Sequence, residues 1–153
     1  MPGRLRKARV ADVPTIQRLI NTFAERDEML PRSLNEIYEH LRDFVVSERD
    51  GEIVGCCALH VTWGDLAELR SLAVAESARG EGRGAELVRC CLEEARALGL
   101  PRVFALTYIP DYFRRFGFTL IEKSNLPHKV WVECIRCPKF PDCGEVGMIL
   151  DLG

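Results

Sequence analysis

The segment Arg79-Gly80-Glu81-Gly82-Arg83-Gly84 constrains this chain more than any other. It follows an apolar run, Glu68-Leu69-Arg70-Ser71-Leu72-Ala73-Val74. It precedes a helical pattern in which Leu87, Val88, Cys91, Leu92, Ala95 and Leu98 share one face. Three glycines in six residues let backbone N–H groups converge on one point, and the positive end of the following helix favours an anion there. Strand, glycine turn and helix in that order form a phosphate-binding arrangement, with a plain solvated turn as the alternative. Arg79 and Arg83 would add charge-assisted contacts to a phosphate.

The details of spacing narrow the choice. No Gly-Lys-Ser/Thr follows the glycines, which excludes a P-loop. Gly80-x-Gly82-x-x-Ala85 fits a loose dinucleotide fingerprint, but that motif should open the first βαβ unit and be followed about 20 residues later by an acid. Residues 100–106 read Leu-Pro-Arg-Val-Phe-Ala-Leu and contain none.

At 153 residues the chain holds a single domain, expected over 1–153. Its 21 basic and 23 acidic residues are interspersed, so neither a disordered segment nor a basic nucleic-acid binder is supported. Apolar runs such as 53–59 are too short for a membrane span, and the basic start Arg4-Leu5-Arg6-Lys7 leads into Asp12, not into a signal-peptide core. A cytoplasmic chain is expected. The seven cysteines, with two adjacent pairs, do not form a secreted disulfide pattern.

Periodicity predicts a helix after Asp12 as N-cap, with Ile16, Leu19, Ile20 and Phe23 inward, and a second after the capping box Ser33-x-x-Glu36. Two strands joined at Asp50-Gly51 follow, then a turn over 62–65 and the apolar run already described. Gly99 and Pro101 end the long helix. A strand at Arg102–Thr107, a short helix at Asp111–Phe116 and strands at Phe118–Ile121 and Val146–Leu152 complete the order. Hairpins first and crossover helices later predict an α/β domain with a mixed sheet.

Arg79-x-x-Gly82-x-Gly84, the preceding Leu72-Ala73-Val74 and the downstream Phe113-x-x-x-Gly117-Phe118 resemble the signature blocks of the GNAT superfamily of N-acetyltransferases. The resemblance implies a GNAT fold, with antiparallel N-terminal strands, a parallel pair around the cofactor and acetyl-CoA as acetyl donor. It implies cofactor contacts from Leu72, Ala73, Val74, Arg79, Gly80, Glu81, Gly82, Arg83, Gly84 and Phe113, with an oxyanion-binding N–H where the strand bulges at 72–74.

Acetyl transfer from a thioester to an amine needs a base, an oxyanion site and a proton source for the departing thiolate. Glu68 is the first choice of base, with an exposed strand-edge carboxylate as the bland alternative; His60 ranks below it. For the acid, many family members carry a Tyr where Phe113 stands. Tyr112, one residue away, would face about 100° off on a helix, which leaves Thr107 and Tyr108.

The Phe at that place, together with Met29-Leu30-Pro31-Arg32-Ser33, Glu68-Leu69-x-x-Leu72-Ala73-Val74, Phe104-Ala105-Leu106-Thr107 and Leu126-Pro127 before Lys129, is similar to N-acetylglutamate synthase catalytic domains. That likeness implies glutamate as acceptor, Glu68 as base through a water and Thr107 as acid. It implies Leu30, Arg32 and Lys129 around the substrate. Arg70 joins them because it shares the face of Glu68 at spacing two. The chain would be a short stand-alone form without a preceding kinase-like domain, in the arginine-forming sequence, and a homodimer is possible by analogy. Another small amine, a protein N-terminus, or a non-catalytic acetyl-CoA-binding module are the alternatives.

A cysteine-rich loop at about 128–144 departs from the family. Cys134-x-x-Cys137-x5-Cys143 with His128 upstream has partial zinc-ligand character, but the irregular spacing favours reduced thiols and no metal is expected there.

Overall fold

The computed structural model describes residues 4–24, 32–122, 125–126 and 146–153. Among the described residues, seven strands form one sheet in the order β1-β2-β3-β4-β5-β7-β6. They are β1 (Arg4–Lys7), β2 (Phe44–Arg49), β3 (Glu52–Trp63), β4 (Leu66–Val74), β5 (Arg102–Thr107), β6 (Thr119–Ile121) and β7 (Val146–Asp151). Four α-helices of the described residues accompany them: α1 (Val13–Ala24), α2 (Leu34–Glu39), α3 (Arg83–Ala97) and α4 (Pro110–Arg114). Every strand pair is antiparallel except β4–β5. The mixed sheet expected from the element order is therefore present.

Local chemistry sets the boundaries. The capping box of α2 is complete: Glu36 N–H donates to Ser33 Oγ at 3.1 Å, and Ser33 N–H donates to Glu36 Oε1 at 3.2 Å. Asp50 and Gly51 both have positive φ, 53° and 80°, the geometry a two-residue hairpin between β2 and β3 requires. Asp12 differs from its expected role. It closes a 3-10 turn over Val10–Asp12, accepting from Arg9 N–H at 2.7 Å and from the Arg6 guanidinium, so its oxygens point back to β1 and not into α1. The turn expected over 62–65 is shorter, because Thr62 and Trp63 still belong to β3.

The sheet separates two apolar layers. On one side α1 and α2 bury Ile16, Ile20, Phe23 and Ile37 against Phe44, Val46, Cys56, Ala58 and Ala73. On the other, Leu87, Val88, Cys91 and Leu92 of α3 pack on Cys57, Leu59, Ala67, Leu69, Val103 and Ala105. Each fully buried Leu or Val contributes about 1.5–3 kcal/mol, so the stripe along α3 anchors the glycine turn that precedes it. Among the described residues no helix is long and apolar enough to cross a membrane.

Candidate active site at the parting of two parallel strands

β4 and β5 pair only at Ala67 with Val103 and Glu68 with Phe104. Beyond those two pairs, 69–74 and 105–107 form no ladder with each other, so the backbone edges facing the gap are open there. A β-bulge deepens the parting. Cys56 pairs with Ala73 and Ala58 with Arg70, leaving Cys57 opposite both Ser71 and Leu72. Ser71 takes up the extra residue at φ 58°, an uncommon conformation for a buried side chain that is not glycine. The bulge was expected at Leu72–Val74; it begins one residue earlier, and Ser71 is a site residue that sequence reasoning missed.

The glycine turn stands at the same end of the sheet. Gly80 and Gly82 have φ of 83° and 76°, with open space where a Cβ would be. Gly82 is the N-cap of α3 and offers no side chain to the first-turn N–H groups, which are free to meet an outside acceptor. Gly84 is different. A Cβ there would lie 2.6 Å from Tyr112 Oη and 3.7 Å from Val74 Cγ2. The third glycine therefore makes room for a phenol at the mouth of α3, which any larger residue there would have to displace. Burial pushes that phenol above the usual tyrosine range.

α4 resolves the choice between neighbouring aromatics. Phe113 is a core residue, 6 % exposed, with its ring edge-on to Tyr112 and Phe118 at 5.6 and 5.5 Å. Its place is in the core on the α3 side, and the side chain that reaches the glycine turn is Tyr112. Helical geometry set Tyr112 aside only on the assumption that Phe113 faces the cleft.

The arginines of the turn also divide. Arg83 was expected to face a phosphate, but its guanidinium is buried, donating from Nε to Glu81 Oε1 at 2.7 Å and from Nη1 to Ser47 Oγ at 2.9 Å. It clamps the turn to β2, and only its backbone N–H is left for an anion. Glu81 is held by Arg83 and by Arg49 at 2.8 Å, and these partners keep its carboxyl below the ordinary range. Arg79 is exposed and rests on the Phe23 ring, 4.9 Å from its centroid. It is thus the turn's guanidinium at the surface.

Glu68 is 7 % exposed and therefore not the solvated carboxylate of the bland alternative. Strand alternation places it with Arg70 and His60 on the α1/α2 side, since Glu68 pairs with His60 and Arg70 with Ala58. Arg70 Nη1 stands 3.5 Å from Glu68 Oε1. Thr107, at the end of β5, has the parity of Val103 and Ala105 and so belongs to the α3 side. Its Oγ1 accepts from Ile109 N–H at 2.9 Å, which leaves its own proton to donate. Glu68 and Thr107 thus bracket the gap from opposite faces. Tyr108 is half-buried just past the strand.

His60 is engaged elsewhere, its Nδ1 lying 2.8 Å from Asp43 Oδ2. Its ring stands edge-on to His40 at 4.8 Å. Burial, then the nearby Arg70 charge, lowers the His40 pKa. Arg32 leads into α2 and pairs with Glu36 at 3.3 Å, while its N–H donates to Asn21 Oδ1. Leu30, Lys129, His128, Cys134, Cys137 and Cys143 lie outside the described residues.

Residues 11–118 match the model of the acetyltransferase (GNAT) family. An uncharacterised N-acetyltransferase of Chlorobaculum tepidum is 41 % identical over 152 residues, covering 97 % of this chain and 96 % of its own. An amino-acid acetyltransferase of Mycobacterium tuberculosis is 42 % identical over 135 residues, 86 % of this chain and 77 % of that protein. Among solved structures, Rv2747 of Mycobacterium tuberculosis in complex with CoA superimposes with a TM-score of 0.86 at 37 % identity, over 98 % of this chain and 99 % of that one. N-acetylglutamate synthase of Neisseria gonorrhoeae, complexed with coenzyme A and N-acetyl-glutamate, gives 0.88 at 27 % identity over all of this chain and 36 % of the synthase. With a family model spanning most of its length and relatives matched nearly end to end, the chain belongs to the GNAT family of acetyltransferases.

Proposed function

We propose that this N-acetyltransferase moves the acetyl group of acetyl-CoA directly onto the α-amine of glutamate. One observation carries the reading: the β4–β5 ladder ends at Glu68, so a buried carboxylate stands where the sheet opens toward the glycine turn and α3. The fit to a coenzyme A thioester rests on the chain's own groups. Gly80 and Gly82 leave open space over the N-terminus of α3, the exposed Arg79 supplies positive charge, and the open strand edges present backbone amides to an extended amide-bearing arm. Bound there, the coenzyme supplies an activated acetyl group.

The remaining steps fall to protein groups. Glu68 takes the proton of the α-ammonium, directly or through a water, so that the amine is neutral when it attacks. A backbone N–H of the bulged segment 71–74 donates to the oxygen that gains charge. As the C–N bond forms and the C–S bond breaks, Thr107 gives its hydroxyl proton to the leaving sulfur and is reprotonated, through solvent, by the proton the acylated nitrogen sheds; it is the preferred acid over Tyr108. Arg70 beside Glu68 fits a carboxylate of the acceptor, joined by Arg32 and, from outside the described residues, Leu30 and Lys129. The names of the relatives, amino-acid acetyltransferase and N-acetylglutamate synthase, support an amino-acid acceptor. We place the reaction in the cytoplasm.

A thiol-release assay with acetyl-CoA and a panel of amino acids, polyamines and peptides tests the reading. Glutamate-dependent release is expected. Release with lysine or peptides but not with glutamate would overturn the acceptor, and coenzyme binding without turnover on any amine would leave a binding module.

A further inference from the structure

Three potential ligand atoms converge on the α1/α2 side of the sheet, outside the machinery just described. His40 ends α2, Asp43 closes the 3-10 turn over Leu41–Asp43, and His60 is on β3. One ring nitrogen from each histidine and one carboxylate oxygen lie within 4.8 Å of one another. They border an open pocket of about 350 Å³, with Tyr38, Arg42 and Val61 among its other walls.

We propose that His40, Asp43 and His60 bind a divalent first-row transition metal, zinc being the best fit. Two imidazoles and one carboxylate are a zinc donor set, and solvent from the pocket would complete the coordination. The spacing suits that ion. Ligand atoms at zinc distances of about 2.1 Å stand about 3.4 Å apart in a tetrahedron. Asp43 Oδ2 is 2.8 Å from His60 Nδ1 and 3.7 Å from His40 Nδ1, values that bracket this separation. The three ligand atoms lie within 4.8 Å of one another, so the imidazoles would turn inward and the His60–Asp43 hydrogen bond would give way to two bonds to the ion. Hydrogen bonding alone explains the cluster less well, because 3.7 Å is beyond the reach of a His40 hydrogen bond to Asp43.

The surrounding charge is mixed. Arg42 and Arg70 are cationic, whereas Asp43, Glu39 and Glu68 are anionic, so an added cation enters a set that is already slightly negative. Because His40 and Asp43 belong to one turn and His60 to the sheet, the ion would clamp α2 and its following turn to β3. It would sit on the face that carries Glu68, the cross-strand partner of His60.

Zinc calorimetry and cobalt absorption on the full chain test this, with the cysteines outside the described residues controlled for. The expected result is one equivalent of cobalt with visible ligand-field bands and no thiolate charge-transfer band, retained when Cys134, Cys137 and Cys143 are all changed to Ser. His60→Gln and Asp43→Asn should each weaken zinc binding at least tenfold. Asp43→Asn keeps an acceptor for His60 and so preserves the fold, which metal-free melting confirms. Binding that disappears in the cysteine variant, that Asp43→Asn leaves unchanged, or that never reaches one equivalent overturns the proposal.

Discussion

Glu68 shows how its surroundings suit a single side chain to the role proposed for it. A carboxylate on a strand is ordinarily solvated, but here it is buried at the last rung of a parallel ladder, with Arg70 as neighbour. Glu68→Gln keeps the shape and removes the proposed base. Steady-state kinetics should show kcat lowered by about 10²–10⁴-fold, the usual worth of a general base, with the dissociation constant of acetyl-CoA unchanged. A comparable loss of coenzyme affinity would instead assign Glu68 to binding. The cysteines show the opposite case, chemistry suppressed by place. Burial pushes the Cys56 thiol up to about 12, and Cys57, hydrogen-bonded to Cys91 and buried, is also well above its ordinary value. Thiolates are the reactive species, so among the described cysteines iodoacetamide should leave Cys56 and Cys57 unmodified at pH 8 and reach the half-buried Cys90, itself raised less by burial, before them, as peptide mass mapping would record.

At the scale of elements, the strand, glycine turn and helix were legible because their signals are local. Gly80 and Gly82 occupy the positive-φ positions that their sequence pattern implies, and Ser33-x-x-Glu36 forms its capping box. The rest depends on long-range partners. Arg83 turns inward because Ser47 waits 36 residues away, and Tyr112 reaches Gly84 because Phe113 is taken by the core. The bulge at Ser71 is backbone geometry set by β3, which no residue type marks. This division separates the two arginines experimentally. Arg79→Ala should raise the KM for acetyl-CoA about tenfold, the value of one charge-assisted contact, and leave the melting temperature nearly unchanged. Arg83→Met should lower the melting temperature by several degrees, since buried Ser47 loses its partner and Glu81 keeps only Arg49. Thermal melts and coenzyme titrations of both variants check this, and reversed effects would restore Arg83 to the phosphate.

Across the whole molecule, the α1/α2 layer is fastened to the sheet by one ionic cluster as well as by apolar packing. Arg6 of β1 grips both oxygens of Asp12, at 2.7 and 3.1 Å, and reaches Glu48 of β2 at 3.1 Å, so one guanidinium joins two strands to the entry of α1. The Arg6 hydrogen bonds hold both carboxyls below their usual values. For a group whose folded pKa is depressed, the stabilisation is fully present above the unfolded value of about 4 and is lost as pH falls through the lower folded value. Arg6→Met leaves Asp12 buried without its cation, a loss of about 3 kcal/mol at neutral pH, which corresponds to about 6–12 °C in a domain of this size. As pH falls below about 4 the carboxyls of the unfolded chain take up protons before those of the folded one, the advantage of Arg6 shrinks and the two melting curves should converge. Melting temperatures of both proteins from pH 7 to pH 3 decide the matter: a gap that stays constant across that range would show that the Arg6 stem contributes by packing and that its charge does not fasten the layer.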